Sequence, residues 1–150
     1  AYHLATFGVI SIDPLELLRS ALLVVAITIA VIGGRIIPSF THNWLHLNRP
    51  GAPLPRRIVP LDAASVLSIA AILFARLLGA PALIEGLIAL AAVILNAARL
   101  ALWRGWSTRA EPIVWVLHVS YAWLVIALCL IAAANLTPWV PGSLANHALG

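Results

Sequence analysis

The sequence has very little charge for its length. Only 9% of its 150 residues are charged, its nine basic residues are all Arg, and Lys and Met are absent. A soluble globular domain has about 25% charged and about 45 to 50% apolar residues, whereas 63% of this chain is hydrophobic and its mean hydropathy is +1.04. The composition excludes an ordinary soluble domain and predicts an integral membrane protein whose main partner is the lipid bilayer.

Cysteine and the common catalytic motifs are scarce as well. The single Cys129 lies in an apolar run, so it has no partner for an internal disulfide, and we expect a buried, inert thiol. The sequence contains no GxGxxG, phosphate loop, CxxC, HExxH or nucleophile elbow. The residues therefore do not define a nucleotide-binding protein, a thiol oxidoreductase, a metalloprotease or a serine hydrolase.

Four apolar runs are long enough to cross a bilayer as helices, because about 20 residues at 1.5 Å each span about 30 Å of hydrocarbon. We predict an all-α fold, a polytopic transmembrane helical bundle that forms a single membrane domain over residues 1–150. The predicted spans are 15–32, 61–78, 82–102 and 113–136, with partial helices at 1–12 and 143–150. The chain begins without Met, so we expect a longer parent chain whose further helices pack against these.

A long connector separates the first two predicted spans. It runs from Gly33 to Pro60 and contains five prolines, which one continuous helix would not tolerate. We expect the Gly33-Gly34 pair to terminate the first helix rather than to form a phosphate-binding loop.

Arginine alternates between successive connections. Four Arg lie in 33–60 and two in 103–112, while the turn at 79–81 has none. By the positive-inside rule we expect 33–60 and 103–112 to be cytoplasmic and the turn to face the other side. Because topology already accounts for the Arg residues, we expect no nucleic-acid partner.

Four charged residues lie within the second and third predicted spans, where an unpaired charge costs at least about 2.5 to 3.5 kcal/mol. In a hairpin with so short a turn, residues whose numbers have the same sum lie at the same depth. This rule matches Asp62 with Arg99 and Arg76 with Glu85. We predict two interhelical ion pairs about 21 Å apart. The alternative is that these charges lie at helix ends and reach the headgroups by snorkelling.

His118 is the histidine most clearly inside a predicted span. An imidazole at membrane depth needs a partner, and haem iron is one that facing helices can hold. A hydrogen-bonded core histidine is the alternative. His42 and His46, four residues apart, could share a helix face as a metal pair or contact lipid headgroups.

The neighbours of His118 would suit a flat cofactor. Trp115 and Ala122 share its helix face, and Trp123 is a further aromatic residue that could wall a porphyrin. Tyr121, three residues from His118, could support the metal ligand with a hydrogen bond or contact a bound diatomic molecule.

Three stretches of the sequence resemble the NnrS family of bacterial membrane proteins. They are GGRIIPSFTHNWL at 33–45, RAEPIVWVLHVSYAW at 109–123 and NHALG at 146–150. The first matches the family pattern GGRIIPxFTxNxL, although His42 stands where the family is expected to have Arg or Lys. The resemblance spans the whole chain.

The resemblance implies a multi-pass protein of the bacterial inner membrane that binds haem and copper and contributes to the nitric oxide response, without a defined catalytic cycle. Arg35, Tyr121, His118 and His147 fall in the matching stretches and are the candidate cofactor-binding residues, with the two histidines as metal ligands. These histidines should differ in depth by about 15 Å, so we do not expect them to share one iron. The alternative is a transporter-like or purely structural helical bundle with no cofactor.

Overall fold

The computed structural model describes residues 14–137. The predicted partial helices at 1–12 and 143–150 lie outside the described residues, and so does His147. Within the described part there are four long helices and no strand. The helices are α1 (Pro14–Asn48), α2 (Val59–Leu77), α3 (Ala82–Leu102) and α4 (Pro112–Leu136), with a short 3-10 helix (Gly105–Thr108) between α3 and α4. Each long helix is long and apolar enough to span a membrane, which confirms the all-α, polytopic fold.

Proline and left-handed residues mark the ends of these helices. Pro112 begins α4, Pro60 lies in the first turn of α2, and Pro81 immediately precedes α3. A proline in the first turn removes an N–H that has no helical partner, so it does not weaken the helix there. Gly79 and Arg104 adopt positive φ angles of 67° and 59°, which turn the chain sharply after α2 and α3.

The expected helix end at Gly33-Gly34 is wrong. Helix α1 continues through both glycines and through Pro38 to Asn48, so that 35 residues form one helix about 52 Å long. A glycine inside a helix costs only about 1 kcal/mol, and close packing against neighbouring helices offsets that cost here. The predicted loop 33–60 is therefore helical over more than half of its length, and the irregular segment lies between α1 and α2.

The four helices close into a ring. Helix α1 packs against α2 and α4, and α3 packs between α2 and α4. Small residues let the helices approach closely, because Ala89 and Ala92 of α3 are fully buried beside Ile69 and Leu124. Large apolar side chains cover the outside, as expected for a surface that lies in lipid, and they include Leu67, Phe74, Leu87, Ile94 and Val116. Cys129 is also exposed, so the expectation of a buried thiol is wrong.

The two Arg-bearing connections lie at the same end of the bundle. The backbone N–H of Arg56 donates to the carbonyl of Leu102 at 3.0 Å, which joins the α1–α2 connection to the end of α3. We call this end, formed by residues 49–58 and 103–111, the Arg-bearing end. The α2–α3 hairpin has one end here and the other at the turn after α2. The candidate functional residues are located below relative to these two ends.

Candidate functional site at the Arg-bearing end

An ion pair at the Arg-bearing end links α2 and α3. Arg99 is 3% exposed, and its Nε donates to Asp62 Oδ1 at 2.7 Å. Arg57, from the connection before α2, donates from Nε and Nη2 to Asp62 Oδ2 at 3.2 Å. One carboxylate therefore lies between two guanidinium groups, of which the depth rule identified only Arg99.

A second ion pair lies at the opposite end of the same hairpin. Arg76 Nη2 contacts Glu85 Oε1, and both side chains are largely buried. The structure thus pairs the four residues in the way that equal depth requires, one pair near each end of α2 and α3.

A buried hydrogen-bond network extends from Arg99 to all four helices. Its Nη1 donates to the carbonyl of Ala30 in α1 at 2.9 Å and to the hydroxyl of Tyr121 in α4 at 3.0 Å. The Tyr121 hydroxyl donates to Asn96 Oδ1 at 2.7 Å, and Asn96 Nδ2 reaches the carbonyl of Ser65 in α2 at 3.3 Å. We call these groups, together with Asp62, the Arg99 network. Buried polar groups with this many partners fix the relative positions of the helices that carry them.

Glycine and aromatic rings complete the surroundings of Arg99. A Cβ atom at Gly34 would overlap the guanidinium group, so the absence of a side chain there makes room for it. The guanidinium lies 5.2 Å from the ring centre of Trp103, within the range of a cation–π contact. Trp103 is fully buried and packs edge-on against Tyr121 at 4.7 Å, while its Nε1 has no hydrogen-bond partner among the described residues.

His118 is buried between α4, α1 and the 3-10 helix. Its Nδ1 lies 2.9 Å from the carbonyl of Val114, so the Nδ1–H tautomer donates there. Its Nε2 lies 3.3 Å from Thr41 Oγ1, but the Thr41 hydroxyl donates to the carbonyl of Ile37 at the shorter distance of 2.8 Å. Since Thr41 has one hydroxyl proton, the Nε2 lone pair of His118 receives no proton from it in this arrangement.

His118 lies at the level of the 3-10 helix, not at the middle of the bundle. A Cβ atom at Gly105 would come within 2.8 Å of the His118 Cγ atom, and Gly105 follows the end of α3. His118 thus lies towards the Arg-bearing end of the bundle and is buried in protein.

A cavity of about 670 Å³ adjoins His118. Trp115, His118 and Ala122 all line it, as their shared helix face requires. Trp106 of the 3-10 helix also lines it, with its ring in contact with that of Trp115 at 5.4 Å between ring centres. Tyr121 is not among the lining residues, because its hydroxyl belongs to the Arg99 network. The structure therefore does not place Tyr121 as a hydrogen-bond partner of His118.

The remaining candidates lie on the outside of α1. Arg35 is exposed. The rings of His42 and His46 stack at 6.2 Å, so the two side chains share a helix face. Within residues 14–137, no three His, Cys, Asp or Glu side chains converge in a way that could hold a metal ion.

The fold and this buried network define a polytopic helical membrane protein whose helices are joined by an internal arginine. A family model described as NnrS protein matches residues 1–150. The chain therefore belongs to the NnrS family, as the three sequence stretches indicated. No curated protein and no solved structure is significantly similar to it.

Proposed function

We propose that this protein is a haem-binding membrane protein of the nitric oxide response and that His118 would bind the haem iron. Membership of the NnrS family supports the role in the nitric oxide response. The haem assignment is supported by the geometry of His118 and by the resemblance of the sequence to a haem-binding family. When bound, haem would supply an iron centre that takes diatomic molecules such as nitric oxide.

The hydrogen bond from His118 Nδ1 to Val114 is the observation that carries the assignment. A histidine that binds a metal usually donates its other ring N–H to a carbonyl or carboxylate, which fixes the tautomer and directs the second nitrogen to the metal. Nδ1–H donates to Val114 at 2.9 Å, and Nε2 keeps an available lone pair. This arrangement of the ring nitrogens supports the proposal that His118 is a ligand.

The surroundings of His118 fit an apolar, planar group. The cavity beside it is walled by the indole rings of Trp106 and Trp115, and Arg104 lines the same cavity. Aromatic walls suit a macrocycle, and a guanidinium suits its carboxylate substituents. Among the residues that line this cavity, only His118 carries an imidazole. We therefore propose that any second ligand of the same iron comes from outside residues 14–137, and that His147, which we do not expect to share this iron, would bind a second metal such as copper. Arg35 stays a prediction.

We further propose that the protein lies in the bacterial inner membrane with its Arg-bearing end in the cytoplasm. The supporting observation is that Arg56 and Arg57 of one connection and Arg104 and Arg109 of the other gather at one end of the bundle. Such a concentration of positive charge is typical of the cytoplasmic side.

Visible absorption spectra of the full-length protein, purified from membranes with its haem, test the proposed function. His118→Ala should remove or shift the haem bands without lowering membrane insertion, because it removes the ligating nitrogen. His42→Ala is the matched control and should leave the bands unchanged, because His42 is exposed and does not line this cavity. An unchanged His118→Ala spectrum would assign the ligands to other residues.

A cofactor-free structural bundle is the second candidate function, and the contact between Thr41 and His118 is the observation that favours it. If the Thr41 hydroxyl turned to donate to Nε2, His118 would have both ring nitrogens satisfied within the protein. Thr41→Val separates the two functions because it deletes this hydroxyl and keeps the shape of the side chain. A haem ligand should keep its spectrum in Thr41→Val, whereas a structural histidine should make the variant less stable by about 1 to 3 kcal/mol.

A further inference from the structure

A second cavity lies between the last third of α1 and the connection that follows it. Its volume is about 410 Å³. The residues that line it are Pro38, Ser39, His42, Asn43, Pro55 and Arg57. None of the groups assigned to haem belongs to it, so this cavity is separate from the one beside His118.

The charge at this cavity is positive. Arg57 and Arg99 both contact Asp62, so the three side chains together carry one excess positive charge. Arg99 is buried on the far side of Asp62, whereas the Arg57 side chain is 48% exposed and lines the cavity. Only two of the five N–H groups of Arg57 are used to bind Asp62. The excess charge therefore faces the cavity.

The other polar groups in the cavity can donate hydrogen bonds. Ser39, His42 and Asn43 lie within one and a half turns of α1 and all line the cavity. A hydroxyl, an imidazole and a carboxamide each carry an N–H or O–H donor. No Asp or Glu lines the cavity. A metal cation would find no carboxylate there, and an apolar ligand would leave these donors and Arg57 without partners.

The depth of the cavity places it in the headgroup region. Gly34 is level with Arg99 and Asp62, near the start of α2. Residues 39–43 follow Gly34 by about 8 to 14 Å along α1. Asp62 lies about 4 to 5 Å inside the start of α2, so residues 39–43 lie about 3 to 9 Å beyond the level of that start. With the edge of the hydrocarbon core taken at the start of α2, this range overlaps the polar zone, about 5 to 8 Å thick, in which the phosphate groups of lipids lie.

We propose that this cavity binds a phosphate-type oxyanion, held by Arg57 and by the donors of Ser39, His42 and Asn43. The guanidinium group matches two oxygens of such an anion at once, and the neutral donors satisfy the remaining oxygens. The anion is the phosphate of a lipid headgroup or a free phosphate ion, since both present the same oxygens to the same donors.

Two binding measurements on the full-length protein in detergent distinguish these sources. Equilibrium dialysis measures binding of inorganic phosphate, and native mass spectrometry measures retention of phosphatidylglycerol relative to phosphatidylcholine after release from nanodiscs that contain both lipids. Binding of inorganic phosphate identifies a site for the free ion. Preferential retention of phosphatidylglycerol without inorganic phosphate binding identifies a lipid site. Either result supports the proposal when the variants below respond as expected.

Neutralisation of Arg57 is the decisive variant. Arg57→Gln should weaken binding about tenfold or more, because it removes a charge-assisted hydrogen bond. Arg56→Gln is the matched control, since Arg56 is the exposed neighbour that does not line the cavity, and it should bind within about twofold of the unchanged protein. The double variant Ser39→Ala with Asn43→Ala keeps Arg57 and Asp62, so it tests the cavity even if Arg57→Gln does not fold, and it should also weaken binding about tenfold.

Three results would overturn the proposal. These are binding of neither probe, equal losses in Arg56→Gln and Arg57→Gln, or full binding by the folded double variant. The haem spectrum of each variant is recorded in parallel. A failure of this proposal leaves the spectral test of His118 unaffected, because the two cavities share no residue.

Discussion

A single added methyl group at Gly34 tests whether the Arg99 network stabilises the bundle. In Gly34→Ala the new Cβ would overlap the Arg99 guanidinium, so Arg99 or α1 must move. Movement of Arg99 would lengthen its hydrogen bonds to Ala30 and Tyr121 and disturb its contact with Asp62. A buried charge would then lose partners in a medium with little water.

The size of the effect follows from two opposing terms. Breaking a buried ion pair costs about 3 to 5 kcal/mol, because the separated charges remain buried. Replacing Gly by Ala inside a helix gains about 0.5 to 1 kcal/mol. We therefore expect Gly34→Ala to lower the free energy of unfolding by about 2 to 4 kcal/mol.

Gly33→Ala is the matched control for this experiment. A Cβ at Gly33 would lie 3.1 Å from Tyr121 Cδ2, a tight contact that a shift of a few tenths of an ångström relieves. The gain in helix propensity offsets that contact, so the variant should stay within about 1 kcal/mol of the unchanged protein. Unfolding of the full-length protein by SDS in mixed micelles, followed by circular dichroism, measures both variants. Equal stability of Gly34→Ala and Gly33→Ala would refute the assigned role of Arg99.

Two further predictions follow from the charges of the bundle. Glu85→Gln alone should destabilise the protein more than Glu85→Gln combined with Arg76→Gln, because the single change leaves a buried charge without its partner; additive losses of unfolding free energy would instead indicate independent, snorkelling charges. Cysteines introduced beside Arg56 and Arg104 should react with a label applied from the cytoplasm, and one introduced at Ala80 should react only from the other side, so cytoplasmic labelling at Ala80 would contradict the proposed orientation.

The membrane-spanning helices were largely predictable because hydropathy and length are local properties of the chain. The predicted span 82–102 coincides with α3, and the span 113–136 begins one residue after Pro112, where α4 starts. Equal depth across a short turn was also sufficient to match Asp62 with Arg99, since two helices in a tight hairpin have little freedom to shift along each other.

The predicted helix end at Gly33-Gly34 is wrong because contacts from other helices, and not the local sequence, determine the structure there. Adjacent glycines weaken a helix locally, and from the sequence alone they are typical of a helix end. In the bundle they mark the places where Arg99 and Tyr121 approach the backbone of α1. The residues near Gly34 in the sequence do not predict this contact, because Arg99 lies far along the chain.

Asn96 and Arg57 escaped prediction for a similar reason. Asn96 is a single amide in an apolar run, and its partner Tyr121 lies on another helix. A polar residue at that depth was a usable signal, because an amide in hydrocarbon requires a partner. Arg57 lies in an irregular segment whose path the sequence does not specify, so its contact with Asp62 could not be foreseen.

Two of the stretches that resemble the NnrS family pack against each other. This packing explains which positions of the first stretch are buried. Gly33 faces Tyr121, and Thr41 contacts His118, so residues from 33–45 meet residues from 109–123 along the line where α1 and α4 touch. The buried positions of that stretch are Gly34, Ile37, Pro38, Thr41 and Leu45.

These buried positions recur every three or four residues, so they form one face of α1. Ser39, His42 and Asn43 lie on its other side and line the proposed oxyanion cavity. One face of α1 thus packs against the neighbouring helices and contacts His118. The other face lines the cavity that we propose binds an oxyanion. A substitution at Thr41 should therefore leave oxyanion binding unchanged, whereas a substitution at the neighbouring His42 should weaken it, although the two residues are adjacent in the chain.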